Sequence, residues 1–296
     1  MRSVFVVILM LNFLVLAGVA SAKSAFNGED GYRLWMKYDG LNNSQKSQQY
    51  KGYLQHIDLR SKSKTADIIQ QELQLAATGL LNIQPTFKSS KAKLVIASKS
   101  QLQDTEHWLL PSLKKVGDEG YVINNHDGAI FISANTDIGL LYGTFHFIRL
   151  MQKLQAIDSL SIVQTPKVKL RMLNHWDDLN RHTERGYAGQ SIFDWHKLPD
   201  YKEQRYYDYA RANASIGING IVPINVNSDS LILTPKYLEK VKALADIFRP
   251  YGIKVYLSLK FSSPQQLDGL STSDPLNKEV QQWRQQKNQP NLSSHS

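Results

Sequence analysis

The sequence predicts two fold types in succession: an α+β N-terminal domain over residues 23–160, then an α/β region over 165–280 in which short parallel strands alternate with helices. Three observations carry this. Asp127-Gly128 separates two arms of alternating apolar residues, Tyr121 with Ile123 and Ile130 with Ile132, which is the pattern of an antiparallel hairpin. A helix pattern from Thr136 follows, with Ile138, Leu141, Tyr142, Phe145 and Ile148 on one face to cover that sheet. Beyond Pro166 the pattern changes to apolar runs and helices recurring in units of about 35 to 45 residues, as βα units do.

Taken in order, Gly31 to Leu41 reads as a first strand with one buried face. Asn42 to Lys64, rich in Ser, Gln, Asn and Lys, reads as loop with a short strand near Tyr53 to Leu59. Thr65 caps a helix carrying Ile69, Leu73, Ala76 and Leu80 on one stripe, and Gly79 marks its end. Leu94 to Ala97 is a short buried strand, followed by the hairpin over Gly120 to Ala134 and the helix from Thr136. Ala156 to Lys169 holds the domain boundary.

In the second region Leu170 to Leu173 is a short buried strand. Asp200 with Glu203 forms a capping-box-like start to a helix carrying Tyr206, Tyr209, Ala210 and Ala214. Ile218 to Val226 is the second strand, broken by Gly220 and Pro223. Thr234-Pro235 opens a helix with Leu238, Val241, Ala245 and Phe248 inward, which Pro250 and Gly252 close. Ile253 to Leu259 is the third strand, and residues 281–296, rich in Gln, Asn and Ser, read as a disordered polar tail. Such a series fits the early part of a parallel barrel or an open doubly wound sheet.

Composition narrows the function classes. A hydrophobic content of 42% with 21% charged residues is that of a globular protein with a sizeable core. Arg2 at the start, the apolar run Val4 to Leu16 and Ala20-Ser21-Ala22 form a secretory signal over residues 1–22, so the mature protein is expected to be secreted or periplasmic and free of the membrane. The formal charge of +9 becomes +8 without that segment, because Arg2 is its sole charge (34 basic minus 26 acidic residues). Dispersed lysines with no Arg-rich stripe argue against nucleic acid. With no cysteine there are no disulfides, thiol nucleophiles or thiolate metal sites.

The candidate chemistry sits past the first strand of the second region, in Asn174, His175, Trp176, Asp177, Asp178, Asn180 and Arg181. Parallel barrels build their sites at the C-terminal ends of strands, and an indole face beside a carboxylate suits a sugar. From the residues alone Trp176 could equally plug the barrel mouth and Asp177 cap the next segment. Arg181 and Arg185 have the forked geometry that grips a carboxylate, yet with Asp178 and Glu184 beside them at least one is expected in a structural ion pair. Asn225, Val226 and Asn227 end the second strand, and Lys260 with Phe261 follows the third. His175, His182 and His196 lack metal-site spacing, and no P-loop, GxSxG elbow or dinucleotide fingerprint is present.

The run Asn174-His175-Trp176-Asp177, followed by Glu184-Arg185-Gly186-Tyr187-Ala188-Gly189 and Ser191-Ile192-Phe193, closely resembles the signature of the xylan-debranching alpha-glucuronidases, a family of glycoside hydrolases. Gly31 to Leu41 is similar to the opening of the same family, and the similarity extends from about Gly31 to about Trp283. The resemblance selects the barrel: an incomplete (β/α)8 TIM barrel with about three of its eight strands. It implies that Trp176 lines the pocket for glucuronic acid and that Val226 meets the sugar ring near its 4-O-methyl group. Asn174, Trp176, Asp177, Asn225 and Val226 are thus the expected substrate-binding residues. Family members invert the anomeric centre with a general acid Glu in a KANSEGQPGP-like segment and base candidates further downstream, and no stretch here matches those segments. No catalytic residue is assigned, and neither cofactor nor metal is implied.

Two readings follow. In one, the chain is an alpha-glucuronidase-type glycoside hydrolase of xylan catabolism, acting on glucuronoxylan-derived oligosaccharides but truncated before its catalytic carboxylates and inactive alone. In the other, it is a non-catalytic product or a uronic-acid-binding module. Neither reading fixes an oligomeric state.

Overall fold

The computed structural model describes residues 30–87, 89–226 and 228–288; the expected signal segment, Asn227 and residues 289–296 lie outside the described residues. The described chain divides into two compact units, up to Lys37 and from Tyr38 onward. The first holds one 3-10 turn, Leu34–Met36, and no strand. Leu34 has φ 51°, a left-handed conformation that breaks the extended run expected there.

In the second unit the presumed loop after Asn42 is a helix, α1 (Ser44–Leu54). Its polar composition hides a terminus signal: Asn43 accepts from the Lys46 N–H at 2.9 Å, and only Tyr50 and Leu54 need burial. Strand β1 (His56–Leu59) leads to α2 (Lys64–Leu81), whose cap is Ser63 rather than Thr65. The Thr65 hydroxyl donates instead to the Pro250 carbonyl at 2.8 Å. Gly79 does not end α2, which stops at Asn82 with φ 52°. A Cβ on Gly79 would lie 2.2 Å from the Tyr38 carbonyl oxygen, so glycine permits backbone contact there.

Strands β2 (Thr86–Phe87) and β3 (Leu94–Ser98), a short helix α3 (Leu110–Leu113), and the hairpin strands β4 (Tyr121–His126) and β5 (Ala129–Ala134) follow. Asp127 and Gly128 turn the hairpin with φ of 50° and 78°, both positive as a two-residue type I′ turn requires. Helix α4 (Asp137–Gln152) is capped by Thr136, which accepts from the Gly139 N–H at 3.2 Å. Strand β6 (Ser161–Gln164), in the stretch read as a boundary, pairs antiparallel with β4. The resulting sheet has the order β2-β1-β3-β5-β4-β6, parallel from β2 through β5 and antiparallel beyond. Helices α2 and α4 pack on each other, burying Ile69, Leu73, Ala76 and Leu80 of the first and Leu141, Phe145 and Ile148 of the second.

A second, all-parallel sheet is formed by β7 (Met172–Asn174), β8 (Gly220–Val222) and β9 (Lys254–Val255), in the order β7-β8-β9. The first of these was expected to be buried, but Leu170 and Met172 are exposed because, among the described residues, β7 is an edge with β8 as its single neighbour. Only the central β8 is buried throughout. Pro223, which has no N–H to give, ends it, and β9 is shorter than the predicted Ile253 to Leu259 run for want of a partner on its far side among the described residues.

The connecting helices are α5 (Gln204–Ser215) and α6 (Pro235–Phe248). Neither carboxylate of the expected capping box caps α5: Asp200 lies ahead of it, and Glu203 takes the Lys197 ammonium at 2.8 Å. Helix α6 buries Val241 and Phe248 as expected, with Leu244 and Ile247 rather than Leu238 and Ala245 completing the face. Helix α7 (Ser263–Asp268) is followed by α8 (Lys278–Asn288), which overturns the expectation of disorder from residue 281 as far as 288. Val280 and Trp283 bury one apolar residue per turn, the Trp283 indole N–H donates to Asp268, and glutamines sustain the rest.

Candidate functional site

The C-terminal ends of β7 and β8 are laced together by main-chain bonds. The His175 N–H donates to the Val222 carbonyl at 2.9 Å, the Asn225 N–H donates to the His175 carbonyl at 3.1 Å, and Trp176 bridges Ile224. The segment that follows β9 joins through Ser258, whose hydroxyl donates to the Asn225 amide oxygen at 2.5 Å. Side chains leaving these ends therefore share one rim.

Of the expected residues, Asn174, Trp176 and Val226 face outward, with Trp176 43% and Val226 60% exposed. Asn225 is half-buried and Asn227 is outside the described residues. Phe261, past β9, is exposed, with the Arg284 guanidinium 5.9 Å from its ring centre. The rim thus presents an indole face, a branched apolar side chain and amides, the donors and surfaces that suit a pyranose.

Asp177 is placed differently, being only 3% exposed. One carboxylate oxygen accepts the Ser191 hydroxyl and the other accepts the Thr183 hydroxyl at 3.3 Å, so the group faces into its own loop. His175 Nδ1 is 4.0 Å from it, and His175 Nε2 meets the Tyr209 hydroxyl at 2.7 Å. Burial pushes the His175 imidazole below its ordinary range, against the opposing pull of Asp177, and burial raises the Tyr209 phenol. Phe193 packs edge-on to His175 and Tyr209 and beside Trp195, an aromatic floor under the rim.

The other carboxylates of this loop are also engaged. Asp178 accepts the His182 N–H at 2.8 Å, and Asp194, 5% exposed, pairs with Arg181 at 3.1 Å and Lys197 at 3.6 Å. Arg181 is thus in a structural ion pair, with Asp194 rather than the neighbouring Asp178 or Glu184 as its partner, while Arg185 is exposed. Ser191, Tyr209 and Ser258 are the supporting residues that sequence reasoning missed. Tyr209 was legible only as part of a helix stripe, and nothing in the sequence links Ser258 to Asn225. Among the described residues no group of three or more His, Asp or Glu side chains is placed to hold a metal ion.

Residues 34–147 match the model of the glycosyl hydrolase family 67 N-terminus, and residues 150–292 match that of the glycosyl hydrolase family 67 middle domain. The chain is 31% identical over 293 residues to a probable alpha-glucuronidase A of Aspergillus clavatus, covering 96% of this chain and 33% of that one. It is 32% identical over 270 residues to an alpha-glucuronidase of Hypocrea jecorina, covering 86% of this chain and 32% of the relative. The chain therefore spans about a third of the length of the curated relatives it matches. A solved family GH115 4-O-methyl-alpha-glucuronidase superposes with a TM-score of 0.50 at 11% identity, over 77% of this chain and 32% of that one, which is a likeness of fold. Two models of one family that adjoin at residues 147 and 150, with relatives aligned across both, place this chain in glycosyl hydrolase family 67.

Proposed function

We propose that this chain supplies the N-terminal domain and the sugar-binding start of the catalytic barrel of an alpha-glucuronidase, an inverting hydrolase that removes α-1,2-linked (4-O-methyl)glucuronic acid from glucuronoxylan-derived oligosaccharides. The observation that carries this is the shared rim of β7 and β8, where Trp176 and Val226 stand exposed at the C-terminal ends of parallel strands. In this reading Trp176 is the wall for the uronic acid, Val226 meets the 4-O-methyl side, and Asn174 and Asn225 bond hydroxyls directly or through water.

The domains divide at about residues 160 to 165, and the second is the beginning of a (β/α)8 barrel. Supporting this, Leu238, Leu257, Leu259 and Trp283 line a cleft of about 1060 Å³ beside α6 and the segment that continues β9, a flank that a further βα unit would cover. The protein is exported through residues 1–22. No helix among the described residues is long and apolar enough to cross a membrane.

Within these 296 residues the role is binding. Inverting hydrolysis needs two carboxyl groups about 6.5 to 9.5 Å apart flanking the sugar, whereas Asp177, Asp178 and Asp194 are held by their own loop. Calorimetric titration with glucuronic acid α-1,2-linked to xylobiose, against xylobiose alone, tests the reading. Binding of the decorated sugar is expected, weakened about ten- to hundredfold by Trp176→Ala, since an aromatic wall contributes on the order of 1 to 3 kcal/mol. Equal response to both sugars, or a Trp176→Ala variant that binds as before, would refute it.

A further inference from the structure

We propose that Asp177 is the positioning residue of this rim: its buried carboxylate clamps the loop from 177 to 191 shut and thereby fixes the indole of Trp176. The proposal rests on the reading of Trp176 as a sugar wall. Both ends of the loop meet at Asp177. Its backbone bridges Thr183, the next residue Glu184 donates its N–H to the Trp176 carbonyl at 3.0 Å, and Ser191 donates its hydroxyl to the Asp177 side chain. The Ser191 oxygen in turn accepts the Phe193 N–H at 2.9 Å, which ties the clamp to the aromatic floor.

The loop needs such a clamp because it is strained. Arg181, Glu184 and Arg185 have φ of 74°, 48° and 59°, a left-handed region that non-glycine residues enter only when their surroundings hold them there. Main-chain bonds cross the loop between Thr183 and Gly189 at 3.0 Å and between Ser191 and Arg181 at 2.9 Å, but Asp177 alone joins its beginning, middle and end through one side chain. A carboxylate that is buried and wholly engaged by its own loop has no face left for a sugar. Its influence on a ligand passes through Trp176, the neighbour whose carbonyl the loop holds, so the wall is ordered before any ligand arrives.

The test uses the full chain with Asp177→Ala and, as a milder variant should that one fold poorly, Ser191→Ala. Two readouts are taken: the rate of tryptic cleavage after Arg181 and Arg185 under native conditions, and affinity for glucuronic acid α-1,2-linked to xylobiose. Both variants are expected to speed cleavage at these two sites, Asp177→Ala by at least about tenfold, because cleavage follows the population of the open loop. Asp177→Ala is also expected to weaken sugar binding, and to add little when Trp176→Ala is already present, since residues acting through one another are not additive. Unchanged cleavage in both variants, with binding weakened by Trp176→Ala alone, would overturn the clamp and leave the sugar reading standing. Faster cleavage with sugar affinity untouched by either Asp177→Ala or Trp176→Ala would overturn the sugar reading and the positioning role with it. Full additivity of the two substitutions would overturn the positioning role alone.

Discussion

Arg211 forks onto Glu72 across 139 positions of sequence, with Nε and a terminal guanidinium nitrogen each 2.7 Å from a carboxylate oxygen, and Tyr38 donates its hydroxyl to the same carboxylate. Glu72 lies on α2, which packs on α4, and Arg211 lies on α5 of the second region, so a buried ion pair joins helices of the two regions. Removing Glu72, itself only 2% exposed, leaves the Arg211 guanidinium uncompensated with its side chain 22% exposed. Glu72→Ala is expected to cost about 3 to 5 kcal/mol of unfolding free energy, whereas Glu72→Leu combined with Arg211→Met and Tyr38→Phe, which leaves no donor orphaned, is expected to be near neutral or stabilising. Denaturant titration of the parent and both variants decides it; a triple variant as unstable as Glu72→Ala would speak against this origin of the loss.

Gly79→Ala should destabilise even though alanine is the better helix former by about 1 kcal/mol. Its Cβ would fall 2.2 Å from the Tyr38 carbonyl oxygen and 2.8 Å from the Tyr38 Cβ, and neither can swing aside as a side-chain tip would. The expected net loss is about 1 to 3 kcal/mol, read as a lower midpoint in denaturant with unchanged slope. A midpoint raised by the substitution would show that the backbone gives way cheaply.

Acid should weaken the fold through two histidines. Burial pushes His146 down, reinforced by Arg149, and burial pushes His175 down, partly offset by Asp177. With folded values below the ordinary 6.5, the unfolded chain binds more protons in the window beneath it. Stability is therefore intact above that value and lost as pH falls through the folded ones. Melting temperature followed downward from about pH 7 should decline before the carboxylates titrate, and the slope should flatten in a His146→Gln/His175→Gln variant. An unchanged slope in that variant would assign the acid sensitivity to other groups.

How far the sequence revealed this molecule depends on where the signal lay. Local chemistry was readable: Asp127-Gly128 named the hairpin, Thr136 the start of α4, and Thr234-Pro235 the start of α6. The misses came from long-range causes. Helix α1 looked like loop because two buried residues, Tyr50 and Leu54, suffice when a neighbouring layer covers them. Thr65 looked like a cap because its bond to Pro250 crosses 185 positions. At the site, position just past a strand end marked Trp176 but left wall and plug equally open, and Val226 was singled out by the family resemblance. The inward turn of Asp177 depends on Ser191 and Thr183, and no spacing rule announces it.

The claim that the strand-end rim of β7 and β8 receives the uronic acid is tested most directly by the indole N–H resonances of the protein's five tryptophans. With glucuronic acid α-1,2-linked to xylobiose titrated into the 15N-labelled chain, the resonance that disappears in Trp176→Ala is expected to shift saturably. The resonance of Trp283, a buried indole whose N–H is held by Asp268, is expected to stay in place. A saturable shift at Trp283 with Trp176 unmoved, or no shift at any indole up to saturating sugar, would contradict the account.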